Sequence, residues 1–305
     1  MTHEDHNPSA SAPARARSDD SSDELPALAA LEPVSQGTDR PGFPVPSRSK
    51  EPDSEDLGAP WGWTDVGLFV IFAIIASVAI TWALVPLAVA LFGAKTADFT
   101  GSSMGTSKSI LLLLSQGLVD GSAILFLFVM LRTRTEAPFW RTIGWRNLRV
   151  DGRTFQASVL QCLGGGAVLA LVVSFLGGFL NSKDTLPIEQ ILQAPVSVVL
   201  FGVLGVLVAP LVEETIFRGF LYPVIARQWG VVAGIVVTGL LFGLLHAAQL
   251  WGGWGQIALL ILVGILLTWV RARTRTVTAS YFVHLGYNGI QLLGYLAYTV
   301  GKLRH

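Results

Sequence analysis

The sequence predicts an all-α fold: a polytopic helical membrane protein with about seven transmembrane helices, the pattern being compatible with roughly six to eight. Two observations lead to this fold class. Hydrophobic residues make up 51% of the 305 residues and charged residues only 14%, and the mean hydropathy of +0.56 is too high for an ordinary soluble domain. Beyond residue 58, apolar runs long enough to cross a bilayer, which takes about 20 helical residues, alternate with short polar loops.

Residues 1–57 are predicted to be a disordered, acidic tail. They are rich in Ser, Pro, Ala, Asp and Glu and show no helical or strand periodicity, so they cannot bury enough apolar surface to fold. Residues 1–60 contain five Lys or Arg against twelve Asp or Glu, a net charge of −7, and the remaining residues carry +7. A basic region followed by an apolar core is not found at the start, so we expect no secretory signal peptide and a cytoplasmic tail.

The apolar runs divide the rest of the chain into N-terminal transmembrane helices with an Arg-rich loop, residues 58–194, and a C-terminal helical core, residues 195–305. The predicted spans are Val66–Phe92, Ile110–Leu131, Gln156–Leu180, Pro195–Ala226, Val231–Leu250, Ile257–Val270 and Thr276–Val300. The fourth is longer than one crossing requires, which predicts a tilted or broken helix, or one that starts along the interface. In the third, the run Gly164, Gly165 and Gly166 predicts the close approach of another helix.

Two loops are rich in arginine. The loop 132–153 holds six arginines against two acidic residues, and Arg271, Arg273 and Arg275 follow the sixth span. Loops with an excess of positive charge remain on the cytoplasmic side. Both loops are therefore predicted to be cytoplasmic, as is the N-terminus, in a protein integral to the cytoplasmic membrane of a bacterium.

Several classes of site have no support in the sequence. The single cysteine, Cys162, excludes an intrachain disulfide and a Cys-based zinc site, and is expected to pack as a small hydrophobe. Asp120, in the middle of the second span, is expected to hydrogen-bond to Ser115, Gln116 or Ser122 rather than to act in catalysis. Basic stripes with interleaved aromatic residues are not found, so nucleic-acid binding is not predicted.

The fourth apolar run contains three charged residues, Glu213, Glu214 and Arg218. An ionised group is costly inside a membrane, and such groups usually mark a functional site. On a helix, Glu214 and Arg218 are four residues apart and share a face, so they are expected to pair. Glu213 points about 100° away from that face and gains no partner from its own turn. The sequence thus predicts one paired and one unpaired carboxylate.

Two histidines, His246 and His284, lie inside predicted spans. If the spans around Gln228 form an antiparallel hairpin, Glu213 and His246 are equally far from its turn, roughly 16 residues or about 25 Å. His284 lies about 11 residues beyond the centre of the Arg271–Arg275 loop, or on the order of 16 Å. Asn288 is one turn further along the same face. These depths permit all four side chains to meet in one buried cavity.

Such a cluster is suited to hydrolysis. A carboxylate at Glu213, held near His246, can take a proton from a water molecule. His284 and Asn288 can donate hydrogen bonds to the oxyanion of a tetrahedral intermediate. No cofactor is required by this chemistry, and the sequence has no Gly-x-Ser-x-Gly serine or reactive cysteine that would serve as a nucleophile instead.

Three motifs resemble those of a known family. Glu-Glu-Thr-Ile-Phe-Arg (residues 213–218), Phe-Gly-Leu-Leu-His (242–246) and His-Leu-Gly-Tyr-Asn (284–288) are similar to the Glu-Glu-x-x-x-Arg, Phe-x-x-x-His and His-x-x-x-Asn motifs of the CAAX-protease and bacteriocin-processing (CPBP, or ABI) intramembrane peptidases. The resemblance covers residues 195–305 and leaves the first three helices unmatched.

The resemblance implies a glutamate-dependent, metal-independent endopeptidase that acts on a membrane-associated peptide or protein. It assigns Glu213 and His246 to water activation and His284 and Asn288 to the oxyanion site. Glu214 and Arg218 would brace the helix, with Phe242 in a supporting position. The substrate, its prenylation and the oligomeric state are left open by these motifs.

Two other functions remain open at this stage. Glu213, His246 and His284 could supply a three-ligand zinc site, although a His-Glu-x-x-His pair is not found in the sequence. Alternatively, the chain could be a non-catalytic membrane scaffold or immunity-type binding protein that uses the polar cluster only for packing. A transporter is not favoured, because an inverted pair of interrupted helices is not found.

Overall fold

The computed structural model describes residues 57–92, 105–180, 190–192 and 195–303. The predicted all-α class is confirmed in these residues. The helices are α1 (Trp63–Phe92), α2 (Thr106–Arg132), α3 (Phe139–Thr142), α4 (Phe155–Gly177), α5 (Pro195–Trp229), α6 (Val231–Leu245), α7 (Trp254–Thr274) and α8 (Val277–Leu303). The predicted tail lies outside the described residues except for Leu57, and so does most of the loops that follow α1 and α4.

The helices coincide with the predicted spans. Among the described residues, five helices are long and apolar enough to cross a membrane: α1, α2, α4, α5 and α7. Helix α6 is apolar but has 15 residues and ends before the predicted Leu250, which gives a length of about 22 Å at ~1.5 Å per residue. Helix α8 has 27 residues and carries His284, Asn288 and Gln291 among its apolar residues. The chain is therefore an integral membrane protein.

Helix α5 is continuous but changes its winding twice. Two π-helical segments, Leu204–Val208 and Glu214–Leu221, alternate with α-helical segments over its 35 residues. Each π segment is followed by a proline at the start of the next α segment, Pro210 and Pro223. A proline has no N–H to donate and its ring clashes with the carbonyl four residues earlier, so it disfavours α-helical winding there. The predicted irregularity of this span thus takes the form of π-helical turns, which are common at functional sites.

Helices α4 and α8 touch through their backbones. A Cβ atom at Gly166 would lie 2.0 Å from the carbonyl oxygen of Val283, and one at Gly286 would lie 2.3 Å from that of Leu163. Only glycine permits such an approach. The prediction of close packing is confirmed for Gly166, whereas Gly164 and Gly165 have nothing within 4 Å of a Cβ position. This contact fixes the depth of α8, and with it that of His284.

The Arg-rich loop after α2 is bound to the core of the C-terminal helices. The N–H of Val277 donates to the carbonyl of Gly144 at 2.9 Å. The indole N–H of Trp145 donates to Oγ1 of Thr215 at 3.1 Å. A Cβ at Gly219 would lie 2.7 Å from the carbonyl oxygen of Ile143. The loop therefore contacts both the first turn of α8 and the second π segment of α5, and fixes these two segments relative to each other.

Candidate active site

The candidate active site lies in α5, where the carboxylate of Glu213 is placed between two imidazoles. Oε1 of Glu213 is 3.5 Å from Nε2 of His246, and its Oε2 is 3.7 Å from Nε2 of His284. The Glu213 side chain is 23% exposed, so it is accessible from one side. The three side chains come from α5, from the residue after α6 and from α8. The structure thus brings together the three residues that the sequence pointed to.

A backbone contact fixes the proton on the ring of His246. Nδ1 lies 2.8 Å from the carbonyl oxygen of Phe242. A carbonyl oxygen only accepts, so it is Nδ1 that carries a hydrogen and donates. In the neutral ring, Nε2 then presents a lone pair towards Glu213. His246 is thereby suited to accept a proton or a hydrogen bond at the site.

A second carboxylate orients His284. Nδ1 of His284 lies 2.9 Å from Oε1 of Glu214, and the His284 side chain is only 4% exposed. An ionised carboxylate accepts hydrogen bonds, so Nδ1 of His284 also carries a hydrogen. A buried carboxylate that accepts a hydrogen bond from one ring nitrogen fixes the orientation and the protonated nitrogen of the ring. The two adjacent glutamates therefore have different contacts: Glu213 faces the Nε2 atoms of both histidines, whereas Glu214 accepts a hydrogen bond from Nδ1 of His284.

Glu214 and Arg218 form the pair that their spacing predicted. Nη1 of Arg218 donates to Oε1 of Glu214 at 3.0 Å, and both side chains are fully buried. The other guanidinium nitrogens are satisfied by α7: Nε donates to Oγ1 of Thr268 at 3.2 Å, and Nη2 donates to the carbonyl of Gly264 at 2.9 Å. A buried arginine is tolerated only when its donors are used in this way. The pair connects α5 to α7 beneath the site.

Phe242 packs at the centre of this arrangement. Its ring lies 4.4 Å from Cζ of Arg218, and its centroid is 4.8 Å from that of His246 and 5.7 Å from that of His284. The guanidinium over its face gains a cation–π attraction. The Phe242 ring therefore packs against both imidazoles and against the buried guanidinium of Arg218, which is the supporting role expected for it.

Asn288 lies one turn beyond His284, as expected, and contacts the backbone of α5. Its Nδ2 donates to the carbonyl of Gly205, in the first π segment, at 2.8 Å. A π-helical turn interrupts the regular α-helical ladder, so a side chain can bond a carbonyl that the turn displaces. One N–H of Asn288 is engaged there, and the same nitrogen carries a second. Its role at an oxyanion stays a prediction.

Sequence reasoning missed the acceptors on α7. Gly264 and Thr268 are one turn apart and receive two of the Arg218 donors. The available signal was that an arginine has five N–H groups and one glutamate satisfies few of them.

The expected partner of Asp120 is confirmed as Gln116, whose Nε2 donates to Oδ1 at 2.8 Å.

Metal binding was the open alternative for Glu213, His246 and His284. Across the described ranges, three His, Cys, Asp or Glu side chains are nowhere arranged as a metal site. Both Nε2 atoms face carboxylate oxygens at distances longer than a direct hydrogen bond. Freedom from metal stays a prediction.

Comparison with known families identifies one matching segment, and it carries the candidate site. Residues 195–290 match the family model described as Type II CAAX prenyl endopeptidase Rce1-like. The matched segment contains every residue of the site, from Gly205 to Asn288. Neither a curated protein nor a solved structure matches the chain. Residues 195–290 of this integral membrane protein are therefore similar to the Rce1-like family of CAAX protease-type hydrolases.

Proposed function

We propose that the chain is a metal-independent glutamic endopeptidase that hydrolyses a peptide bond of a membrane-associated protein or peptide. The observation that carries the proposal is the placement of Glu213, whose two carboxylate oxygens each face an imidazole Nε2, at 3.5 and 3.7 Å. Hydrolysis within a bilayer requires a water molecule to be held and activated where water is scarce, and a partly accessible carboxylate beside an acceptor nitrogen is suited to that task.

In the proposed reaction, a water molecule lies within hydrogen-bonding reach of Oε1 of Glu213 and Nε2 of His246. Glu213 takes a proton from the water as the water oxygen forms a bond to the carbonyl carbon of the substrate. The carbonyl oxygen becomes the oxyanion of a tetrahedral intermediate. The C–N bond then breaks, and the proton held by Glu213 passes to the leaving amine.

His284 would stabilise the oxyanion as an imidazolium. With Nδ1–H donated to Glu214, only the charged ring has an N–H on Nε2, the atom that faces Glu213. The carboxylate of Glu214, which is bonded to Nδ1, would stabilise that positive charge. Two glutamates, Arg218 and a protonated His284 together carry no net charge, which keeps the largely buried cluster electrically balanced. A preorganised donor of this kind contributes roughly a hundred- to a thousandfold to kcat.

The deciding experiment uses the full-length protein in detergent or nanodiscs with a panel of membrane-anchored peptides. Glu213→Gln and His246→Ala should each abolish cleavage while the protein remains folded. Glu136→Gln is the matched control, because Glu136 is an exposed acid of the Arg-rich loop, and it should cleave normally. Cleavage that persists in both site variants would rule out hydrolysis at this cluster and favour the binding-protein interpretation.

The zinc-dependent version is tested with the same assay. Activity should survive prolonged dialysis against a chelator, and the purified protein should contain no stoichiometric metal. Loss of activity on chelation, restored by one equivalent of zinc, would instead assign Glu213, His246 and His284 as ligands. For orientation, we propose that the Arg-rich loops and the N-terminus are cytoplasmic, which accessibility of the loop 132–153 in sealed vesicles would check.

A further inference from the structure

Trp145 lies in the loop between α3 and α4, outside the segment that matches the family model. Its ring contacts two helices of the candidate site. The indole N–H donates to Oγ1 of Thr215 on α5 at 3.1 Å, and the ring centroid lies 5.3 Å from that of Tyr281 on α8. Thr215 follows Glu213 by two residues, and Tyr281 precedes His284 by about one turn. One side chain of the loop therefore touches both helices whose side chains face each other in the site.

The backbone on both sides of Trp145 is bonded to the first turn of α8. The carbonyl of Gly144 accepts a hydrogen bond from the N–H of Val277 at 2.9 Å. The carbonyl of Arg146 accepts one from Oγ1 of Thr278 at 2.8 Å. Gly144 has a φ of +95°, a conformation that glycine adopts readily and other residues rarely do. The backbone of Trp145 is thus fixed to α8, and its indole reaches across to α5.

The hydroxyl of Thr215 extends this contact to the turn that bears Glu213. An indole N–H only donates, so Oγ1 of Thr215 accepts and keeps its own hydrogen for another partner. That hydrogen is donated to the carbonyl of Leu211 at 2.7 Å. Leu211 belongs to the α-helical segment that ends at Glu213, and Thr215 belongs to the π segment that begins at Glu214. The hydrogen-bonded chain from Trp145 to Leu211 therefore spans the change of winding at the two glutamates.

We propose that Trp145 is a positioning residue for the peptidase reaction proposed above, on which this inference rests. Fixed to α8, it holds the start of the π segment at the separation that keeps Glu213 opposite His284. Oε2 of Glu213 and Nε2 of His284 are 3.7 Å apart, and a misplacement of about 1 Å can lower a catalysed rate on the order of a hundredfold. Trp145 acts through Thr215 and not on the substrate.

The first test is Trp145→Phe, which removes the indole N–H and keeps an aromatic ring beside Tyr281. In the full-length protein in nanodiscs, at a temperature where the variant is fully folded, kcat should fall by about ten- to a hundredfold with KM nearly unchanged. Trp140→Phe is the matched control, because Trp140 lies at the start of the same region and is 45% exposed. It should cleave like the wild type.

The partner on α5 separates the hydrogen bond from general packing. Thr215→Val removes the hydroxyl at nearly constant volume and should reproduce the fall in kcat, whereas Thr215→Ser keeps the hydroxyl and should retain most of the activity. Trp145→Phe combined with Thr215→Val should lose little more than the worse single variant, since both break the same contact. Losses that multiply would overturn the proposal, because the two residues would then act separately.

A second measurement does not need a substrate. Nitrogen-15 NMR of protein labelled at histidine reports the Nδ1–H of His284 that is bonded to Glu214, and His284→Gln identifies the signal. Trp145→Phe should shift this signal and Trp140→Phe should not. An unchanged signal in Trp145→Phe, or equal shifts in the two variants, would overturn the role of Trp145 even if the chain proves not to cleave peptides. A shifted signal with normal kcat in an active protein would overturn it too, since the contact would then be structural alone.

Discussion

Nδ1 of His284 lies 2.9 Å from Oε1 of Glu214, and the same oxygen accepts a hydrogen bond from Arg218 at 3.0 Å. One buried oxygen atom therefore orients an imidazole of the candidate site and neutralises the guanidinium below it. The three side chains come from α5 and α8, so this contact connects helices as well as charges. Loss of Oε1 of Glu214 is therefore expected to affect both the stability of the protein and the orientation of His284.

The first prediction concerns the buried ion pair. Glu214→Gln and Arg218→Met should each destabilise the protein by about 3–5 kcal/mol, because each leaves one buried charge without its partner. The double variant should lose clearly less than the sum of the two, since it buries neither charge. Thermal or denaturant unfolding of the purified protein in detergent measures this cycle. Additive losses would show that the two groups do not interact in the membrane protein.

The second prediction concerns the contact between α4 and α8. Gly166→Ala should cost about 1–3 kcal/mol, because its methyl group would overlap the carbonyl oxygen of Val283 and the helices must separate. Cleavage should fall as well, because His284 adjoins Val283. Gly164→Ala is the matched control in the same helix, where a Cβ has nothing within 4 Å, and it should be stable and active. Equal behaviour of the two variants would contradict the contact.

The third prediction separates two roles of Asn288. Asn288→Ala removes the hydrogen bond to Gly205 and should lower stability by about 0.5–1.5 kcal/mol. If the second N–H also serves the oxyanion, kcat should fall by roughly a hundredfold at a temperature where the variant is fully folded, with KM nearly unchanged. A loss of stability with normal kcat would restrict Asn288 to holding the π-helical segment.

The fourth prediction concerns the proton on His246. The hydrogen bond to the Phe242 carbonyl should place the proton of the neutral His246 ring on Nδ1. Nitrogen-15 NMR of protein labelled at histidine distinguishes the two tautomers, and His246→Gln identifies the signal by its loss. A neutral ring with its proton on Nε2 would remove the acceptor that the proposed water requires.

Local spacing in the sequence was enough to predict part of the site. The pairing of Glu214 with Arg218 follows from four residues along a helix, and it survives the change to π-helical winding. The approach of Glu213 to His246 follows from their equal distances from the turn between α5 and α6. Both arguments need only helical rise and periodicity.

The remaining contacts depend on tertiary structure that a single sequence does not contain. The bond between His284 and Glu214 joins residues 70 positions apart, and that between Asn288 and Gly205 joins residues 83 apart. Their formation depends on the rotation of α8 about its axis, which is set by the glycine contact with α4. The π-helical segments likewise follow from two prolines acting in the context of packed neighbours, which periodicity alone does not reveal.

Gly166 lies outside the segment 195–290 that matches the family, yet it touches Val283 within it. A residue outside the matched segment therefore contacts the helix that carries His284 and Asn288. A bulkier residue at position 166 would push α8 away from α4 and would displace His284 with it. The geometry around Glu213 therefore depends on a residue that lies outside all three motifs.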